Sequence, residues 1–337
     1  MKHIALLILL SAVLFSCNET GTDSTSQINA DEKTATVAAS GLRLDVSDNP
    51  ELTFKNLRLY PVLADAGLLE NNRLPILKTL AEAMQTHGFR ITERKQFGRE
   101  QETWYNGLTV QNKSADPVFL MAGDVVTGGN QDRVIAHDDV IQPASLKNIE
   151  VFCVEAGRST YYNPAAPESE KQVAAFKGYY NVASPQVRKA VYSGNQQGVW
   201  GAVGKVTEAN NATSSTQTYA ALETENAKKE QREACLRFFE GKFDNLPDAV
   251  GVVAVCDGKV VGVDVFGHPK LFRRQFKALL HGFAAETAFS ETTKDVPGHV
   301  AEAAFRQVVR EADKARTGTE AVGKFSLGDA WVHLYSK

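Results

Sequence analysis

Between Val118 and Arg158 the run VFLMAGDVVTGGNQDRVIAHDDVIQPASLKNIEVFCVEAGR sets Asp124, Gln131, Asp132, Arg133, Glu155 and Arg158 at the ends of apolar, strand-like stretches. Carboxylates at the edge of an apolar interior have pKa values that their neighbours can shift, which suits them to general acid or base work. On that ground Asp124 and Glu155 are the candidate catalytic groups. Guanidinium groups can grip a carboxylate or phosphate through two parallel N–H donors, so Arg133 and Arg158, with Gln131, form a candidate binding set for a small anion. The competing reading needs no ligand: the same residues make an internal ion-pair network where strands leave the core.

Other chemistries fail on spacing. Gly123 and Gly128 have the glycine interval of a phosphate loop, but Gly129-Asn130 stands where Lys-Ser/Thr is required. No G-x-S-x-G, S-x-x-K or H-E-x-x-H occurs. His137-Asp138-Asp139 offers metal-ligating side chains, yet neighbours on a strand point to opposite faces and no second ligand cluster accompanies them, so no metal is assigned. No motif names a cofactor. Trp200, beside Gln196, Gln197 and Gly198, is a candidate ligand-binding residue, although a tryptophan on a helical stripe is ordinarily core.

The elements that must hold these residues are read from periodicity. Val118-Phe119-Leu120-Met121 is apolar on both faces, as an interior strand is. Residues 148–155 alternate, with Ile149, Val151, Cys153 and Glu155 on one face. Upstream, 41–44, 52–60 (ended by Pro61) and 89–93 read as strands, 74–86 as a helix, and 108–111 with 118–122 as a hairpin across 112–117. Beyond Arg158 the proline-bearing stretch with Tyr161, Tyr162, Phe176, Tyr179 and Tyr180 reads as an irregular, packed excursion, a candidate lid or rim.

Helical spacing follows over 196–210, then over 222–239 after a cap at Ser214-Ser215-Thr216. Asp257-Gly258 is a preferred hairpin turn between two valine-rich arms spanning 250–266. Helices over 270–289 and 299–315 and strands over 322–327 and 331–335 close the chain. The sum is an α+β protein with a mixed or antiparallel sheet core, sandwich- or barrel-like at its centre, packed with helices and more helical in its C-terminal half.

Residues 1–16 have the weakly basic start and short apolar run of a signal peptide, too short to span a bilayer permanently. Leu14-Phe15-Ser16-Cys17 resembles the lipobox of bacterial lipoproteins, which makes Cys17 the expected lipidation site and mature N-terminus. Acyl chains supply about 0.8 kcal/mol per buried CH₂, so several would hold the protein on a membrane. Residues 17–40 are polar and lack aromatics, the composition of a flexible tether reaching on the order of 25 Å to 30 Å. The remainder, 41–337, reads as a single globular domain whose candidate point of subdivision lies near 160–195. The expected location is the cell envelope, lipid-anchored to a bacterial membrane, with the outer membrane the first choice.

A hydrophobic content of 43% over 337 residues is enough for a sizeable core. The net charge of -3, with no arginine-rich run, gives no footprint for nucleic acid. Cys153, Cys235 and Cys256 allow at most one internal disulfide, and whether any two pair stays open.

Phe54-Lys55-Asn56-Leu57, Gly123-Asp124 through Gln131-Asp132-Arg133, Cys153-Val154-Glu155-Ala156-Gly157-Arg158, Gln197 with Val199-Trp200, and Ser214 with Thr216 fall in an order that resembles a known bacterial family. That family, a domain of unknown function, is named for its association with ADP-ribosylglycohydrolase and rhodanese-phosphatase domains. The likeness runs over most of 54–286, with departures at Asp124, Asp132 and Ser159. It implies a nucleotide or ADP-ribose context and no activity. Sequence alone thus points to a lipid-anchored envelope protein serving as a ligand-binding or accessory module. Its alternative is a hydrolase of a phosphorylated or glycosidic small molecule, with Asp124 or Glu155 as base and Arg133 and Arg158 on the anion.

Overall fold

The computed structural model describes residues 41–93, 106–158, 175–287, 289, 298–314 and 318–337. The signal segment, Cys17, the tether, Tyr161 and Tyr162 lie outside the described residues. Among the described residues, strands numbered in chain order form three sheets. The largest runs β1 (Leu42–Leu44), β3 (Leu57–Ala64), β13 (Ala249–Cys256), β14 (Lys259–Phe266), β16 (Ala330–Ser336) and β15 (Val322–Leu327), with β2 (Thr53–Phe54) folded onto β3. A small sheet runs β10 (Asp139–Ile141), β7 (Val118–Leu120) and β4 (Lys78–Thr79). The third runs β12 (Phe176–Val182), β8 (Asp124–Gly128), β9 (Arg133–Ile135), β11 (Ser145–Cys153), β6 (Gly107–Asn112) and β5 (Phe89–Glu93).

Among the described residues only β4 with β7 pairs in parallel, so the α+β reading with a mixed sheet core holds. The helices are α1 (Ala66–Asn71), α2 (Leu80–Met84), α3 (Pro185–Tyr192), α4 (Gln196–Ala209), α5 (Ala227–Phe239), α6 (Pro269–Glu286) and α7 (Gly298–Lys314). The longer ones follow residue 184, as the sequence pattern has it.

Alternation on β3 and β13 explains how the large sheet is covered on both sides. Leu57, Leu59 and Leu63 with Val252 and Ala254 meet Phe272, Leu279 and Phe283 of α6. Tyr60, Val62, Val253 and Val255 meet Phe305, Val308 and Ala312 of α7. Each such side chain, fully buried, contributes roughly 1.5–3 kcal/mol, which holds a helix on each face. The third sheet carries α3 and α4 on the Val125, Val134 and Phe152 face. At the β13–β14 turn, Asp257 and Gly258 both adopt positive φ, 49° and 82°, the geometry that matches the twist of a two-residue hairpin.

Several local expectations are corrected. The strand over 52–60 is a hairpin: Lys55 at φ 52° turns the chain and Phe54 faces Leu57. Pro61 does not end β3. Its carbonyl accepts from Asp45 just past β1, so its missing N–H faces the place where that neighbour has run out. The helix over 74–86 shrinks to α2, started by a capping box between Thr79 and Glu82, because 78–79 is taken up by pairing with β7. Strands β6 and β7 are not a hairpin. Buried Asn112 donates to Asp116 and Ile141 carbonyls and accepts from Ser114, turning the chain from one sheet into another. The aromatic stretch from Phe176 is strand β12, its register on β8 shifting twice, between Phe176 and Gly178 and between Tyr179 and Val182, and α5 begins at Ala227, capped by Asn226 rather than by Ser214-Ser215-Thr216.

Candidate functional site

Arg133 on β9 stands directly across from Cys153 on β11. Its Nη1 donates to Cys153 Sγ, and its Nη2 lies 3.6 Å from Glu93 Oε1. The thiol is 3.1 Å from Gln131 Oε1, while Gln131 Nε2 donates to the Glu155 carbonyl at 2.8 Å. Gln196, at the start of α4, clamps the Cys153 backbone by accepting from its N–H and donating to its carbonyl, both at 2.8 Å. Burial pushes the Cys153 thiol above its usual range; the Arg133 charge opposes this and Glu93 reinforces it. The thiol is therefore protonated at neutral pH and a poor nucleophile.

Arg158 closes the cluster. Its Nε lies 2.9 Å from both Glu155 carboxylate oxygens, Nη2 donates to Glu155 at 2.7 Å and to Asp132 at 3.2 Å, and Nη1 donates to the Gly129 carbonyl at 3.0 Å. Asp132 in turn accepts from Gly128 N–H and Thr218 Oγ1, and its own N–H donates to Glu155. Burial alone would raise the Glu155 carboxyl. Hydrogen bonds from Arg158, Asp132 and Thr216, with the Arg158 charge, outweigh it and hold Glu155 below its usual range. The Glu155 bonds in turn raise Arg158.

Gln131, Arg133, Glu155 and Arg158 are thus brought together, but as a clasp. It ties the 128–133 turn to the 155–158 turn and to the 216–218 stretch that bridges Glu155. Every nitrogen of Arg158 already has an acceptor in the protein, so a two-point grip on an anion would compete with the clasp. The arrangement matches the ion-pair-network reading of these residues.

Asp124 does not join them. It begins β8, where its bonds go to another set of partners; Arg133 stands across from Val126 in the middle of that strand, and Arg158 meets the strand's far end at the Gly128 carbonyl, roughly 13 Å from Asp124. It is fully buried, accepting from Met121 N–H at 2.8 Å, Tyr179 at 2.8 Å and Gln275 of α6 at 3.1 Å. Burial lifts its carboxyl to about 7 against those bonds, and Asp138 adds to the rise.

Next to it runs a second buried network. Arg188 of α3 makes two bonds to Asp264 of β14, and His333 of β16 lies between Asp264 and Asp138, 3.2 Å and 2.8 Å away. Gly123 must be glycine here: φ is 104°, and a Cβ would stand 2.8 Å from Arg188 Cγ. Asp124 and Glu155 thus do not converge on one cleft: each has its own set of partners, and Asp124 is wholly buried.

The His137-Asp138-Asp139 residues diverge, His137 to Glu150, Asp138 to His333 and Asp139 to Lys147. Among the described residues no group of three His, Cys, Asp or Glu gathers to hold a metal ion. Trp200 lies half-buried on α4, its indole N–H buried and without a hydrogen-bond partner among the described residues. Gln196, one turn earlier, is the residue of that helix bonded to the clasp.

Concave space lies elsewhere, between α5 and α6. Asn226 caps α5, while His268 caps α6 with Pro269 in its first turn. Rows at helical spacing face each other there: Arg232, Glu233 and Leu236 on one helix, with Glu240 capping its end, and Arg273, Phe276, Lys277, Leu280 and His281 on the other. One compartment of about 340 Å³ has Phe239, Phe243, Phe276 and Leu280 in its wall. A polar compartment of about 190 Å³ is lined by Asn181, Glu223, Lys229, Arg232 and His281. Glu233, Leu236 and Lys277 line both, so the two compartments adjoin along one groove between the helices.

Glu223 lies 3.7 Å from buried His281, whose bond and charge, with Tyr180 and Lys229, bring the carboxyl down to about 2 against burial. His281 packs edge-on against Tyr180, and its Nδ1 is buried with no partner among the described residues. The sequence reading missed this cleft. Its only signal was the pair Lys277 and His281, four apart and flanking the apolar stripe of a helix.

Fold and site define an α+β protein with a buried polar clasp, in which the Arg133 Nε alone is left without a partner among the described residues, and a cleft between two C-terminal helices. Residues 45–331 match the ARPP-1 domain, the ARG and Rhodanese-Phosphatase-superfamily-associated Protein domain, and the chain belongs to that family. The match reaches past 54–286 at both ends. The family name records association with ADP-ribosylglycohydrolase and rhodanese-phosphatase domains and assigns no activity. No curated protein and no solved structure matches.

Proposed function

We propose that this protein is a lipid-anchored envelope component that works as a ligand-binding accessory module, held to a bacterial membrane, the outer one by first choice, through acylated Cys17. One observation carries the binding reading: the cleft between α5 and α6, polar at one end and apolar at the other, of a size that small-molecule sites commonly have. The partner is a small molecule rather than nucleic acid, since the chain has a net charge of -3 and no basic run. The anion expected at Arg133 and Arg158 is better sought at the cleft, because the clasp arginines are committed to Cys153, Glu93, Glu155 and Asp132.

The placement of Asp124 and Glu155 does not favour the hydrolase reading: the first is wholly buried away from a substrate's reach and the second is saturated with donors. No helix among the described residues is long and apolar enough to cross a membrane, so the anchor rests on Cys17. Mass spectrometry of the mature protein tests it; acylated Cys17 at the N-terminus is expected, and an unmodified terminus further along the chain refutes it. A thermal-shift screen against small molecules tests the module, since selective binding stabilises the native state by mass action.

A further inference from the structure

The cleft also specifies a ligand class, an inference that rests on the binding reading above. Its cations are mostly committed. Lys229 lies among Glu223, Glu225 and Glu233, Arg232 donates to Asn210 and the Leu222 carbonyl, Arg237 pairs with Glu233, and Arg273 donates to the Pro247 carbonyl. Lys277 has no ion pair or hydrogen bond among the described residues, and it stands where the two compartments meet. An ammonium at that junction, with an unpaired imidazole nitrogen in the polar wall and phenylalanines in the other, is complementary to a molecule with one anionic end and one apolar end.

Glu233 lines the same junction, and Glu223 the polar compartment beside it. A dianionic head such as a phosphate monoester would meet two carboxylates with a single uncommitted cation, so the site selects against it. We propose that the cleft binds an amphipathic monocarboxylate, its head at Lys277 and its aryl or alkyl body over Leu236, Phe276 and Leu280.

Isothermal titration of the full chain in lipid nanodiscs, with empty nanodiscs as control, tests this using 4-phenylbutyrate, 4-phenylbutanol and phenyl phosphate. The acid should bind saturably, and the alcohol and the phosphate at least tenfold more weakly. Lys277→Met should erase the preference for acid over alcohol and Lys277→Arg should keep it; Lys277 is exposed, so both variants should fold. Failure of the acid to bind, or binding indifferent to Lys277→Met, overturns the proposal. Equal binding of acid and alcohol, both lost in Leu236→Trp, overturns the carboxylate class and leaves the cleft as a binding site. Acid binding untouched by Leu236→Trp overturns the cleft reading as well.

Discussion

Arg188 and Asp264 face each other in the core through two parallel bonds of 3.0 Å and 2.6 Å, joining the helix after β12 to the large sheet. Both are almost wholly buried, so the pair is stable only as a pair. Burial alone would raise Asp264; the Arg188 charge and the His333 bond bring it down to about 2. Removing one partner leaves an uncompensated buried charge, and Asp264→Asn is expected to cost about 3–5 kcal/mol. Urea unfolding of the variant checks this, and a loss under about 1 kcal/mol would show that the charges are not desolvated together.

Asp124 has the opposite shift and therefore the opposite pH signature. Its folded value of about 7 against an ordinary 3.8 means that the native state keeps a proton the unfolded chain has released. Its contribution is fully present below about pH 4 and is lost as pH rises toward 7. Asp124→Asn carries no such proton, so its stability relative to the native sequence should improve steadily from about pH 4 to 7 and then level off. Asp264, with its lowered value, contributes above about pH 4 and loses that contribution as pH falls toward 2, so the two windows do not overlap. Urea unfolding at a series of pH values resolves the slope, and a difference that does not change with pH would contradict it.

Arg158 illustrates why charge alone does not make the clasp. Lysine would keep the charge but could not reach Glu155, Asp132 and the Gly129 carbonyl together. With the Arg158 side chain 35% exposed, the ion-pair part is discounted for solvent screening, and Arg158→Lys is expected to cost about 1–2 kcal/mol. Amide hydrogen exchange should quicken at Asp132, whose N–H rests on Glu155. Unchanged exchange there would mean that the turn is held by its backbone bonds.

Cys153, Cys235 and Cys256 are free and buried, and burial raises all three thiols. Thiol titration of the native protein near neutral pH should find these three slow to react, and all three should become reactive in denaturant. Rapid native labelling of Cys153 would instead mark the clasp as an accessible reactive site.

Much of the fold was legible in the sequence because it is written in local pattern. The Asp257-Gly258 turn, the valine arms beside it, and the apolar stripes of α4 through Val203 and of α6 through Leu279 and Leu280 are fixed by neighbours in the chain. The sheet change at Asn112 was not legible, because a buried side-chain turn and a hairpin loop share the same composition. The site was read halfway. Gln131, Arg133, Glu155 and Arg158 do meet, but Asp124, close to them in sequence, is carried away along β8 into a different network. The cleft was hidden for a plainer reason: Asn181, Glu223, Lys229 and His281 come from separate segments, and only the packing of α5 on α6 brings them together.

The location of a bound ligand tests the account most directly. Methyl NMR of the protein titrated with a library of small organic acids and their neutral analogues would report it. The expected result is that binding shifts the Leu236 and Leu280 methyls in the cleft and leaves Val134 and Val151, beside the clasp, unmoved. Shifts concentrated at Val134 and Val151, with Leu236 and Leu280 silent, would contradict it and return the binding site to the strand ends.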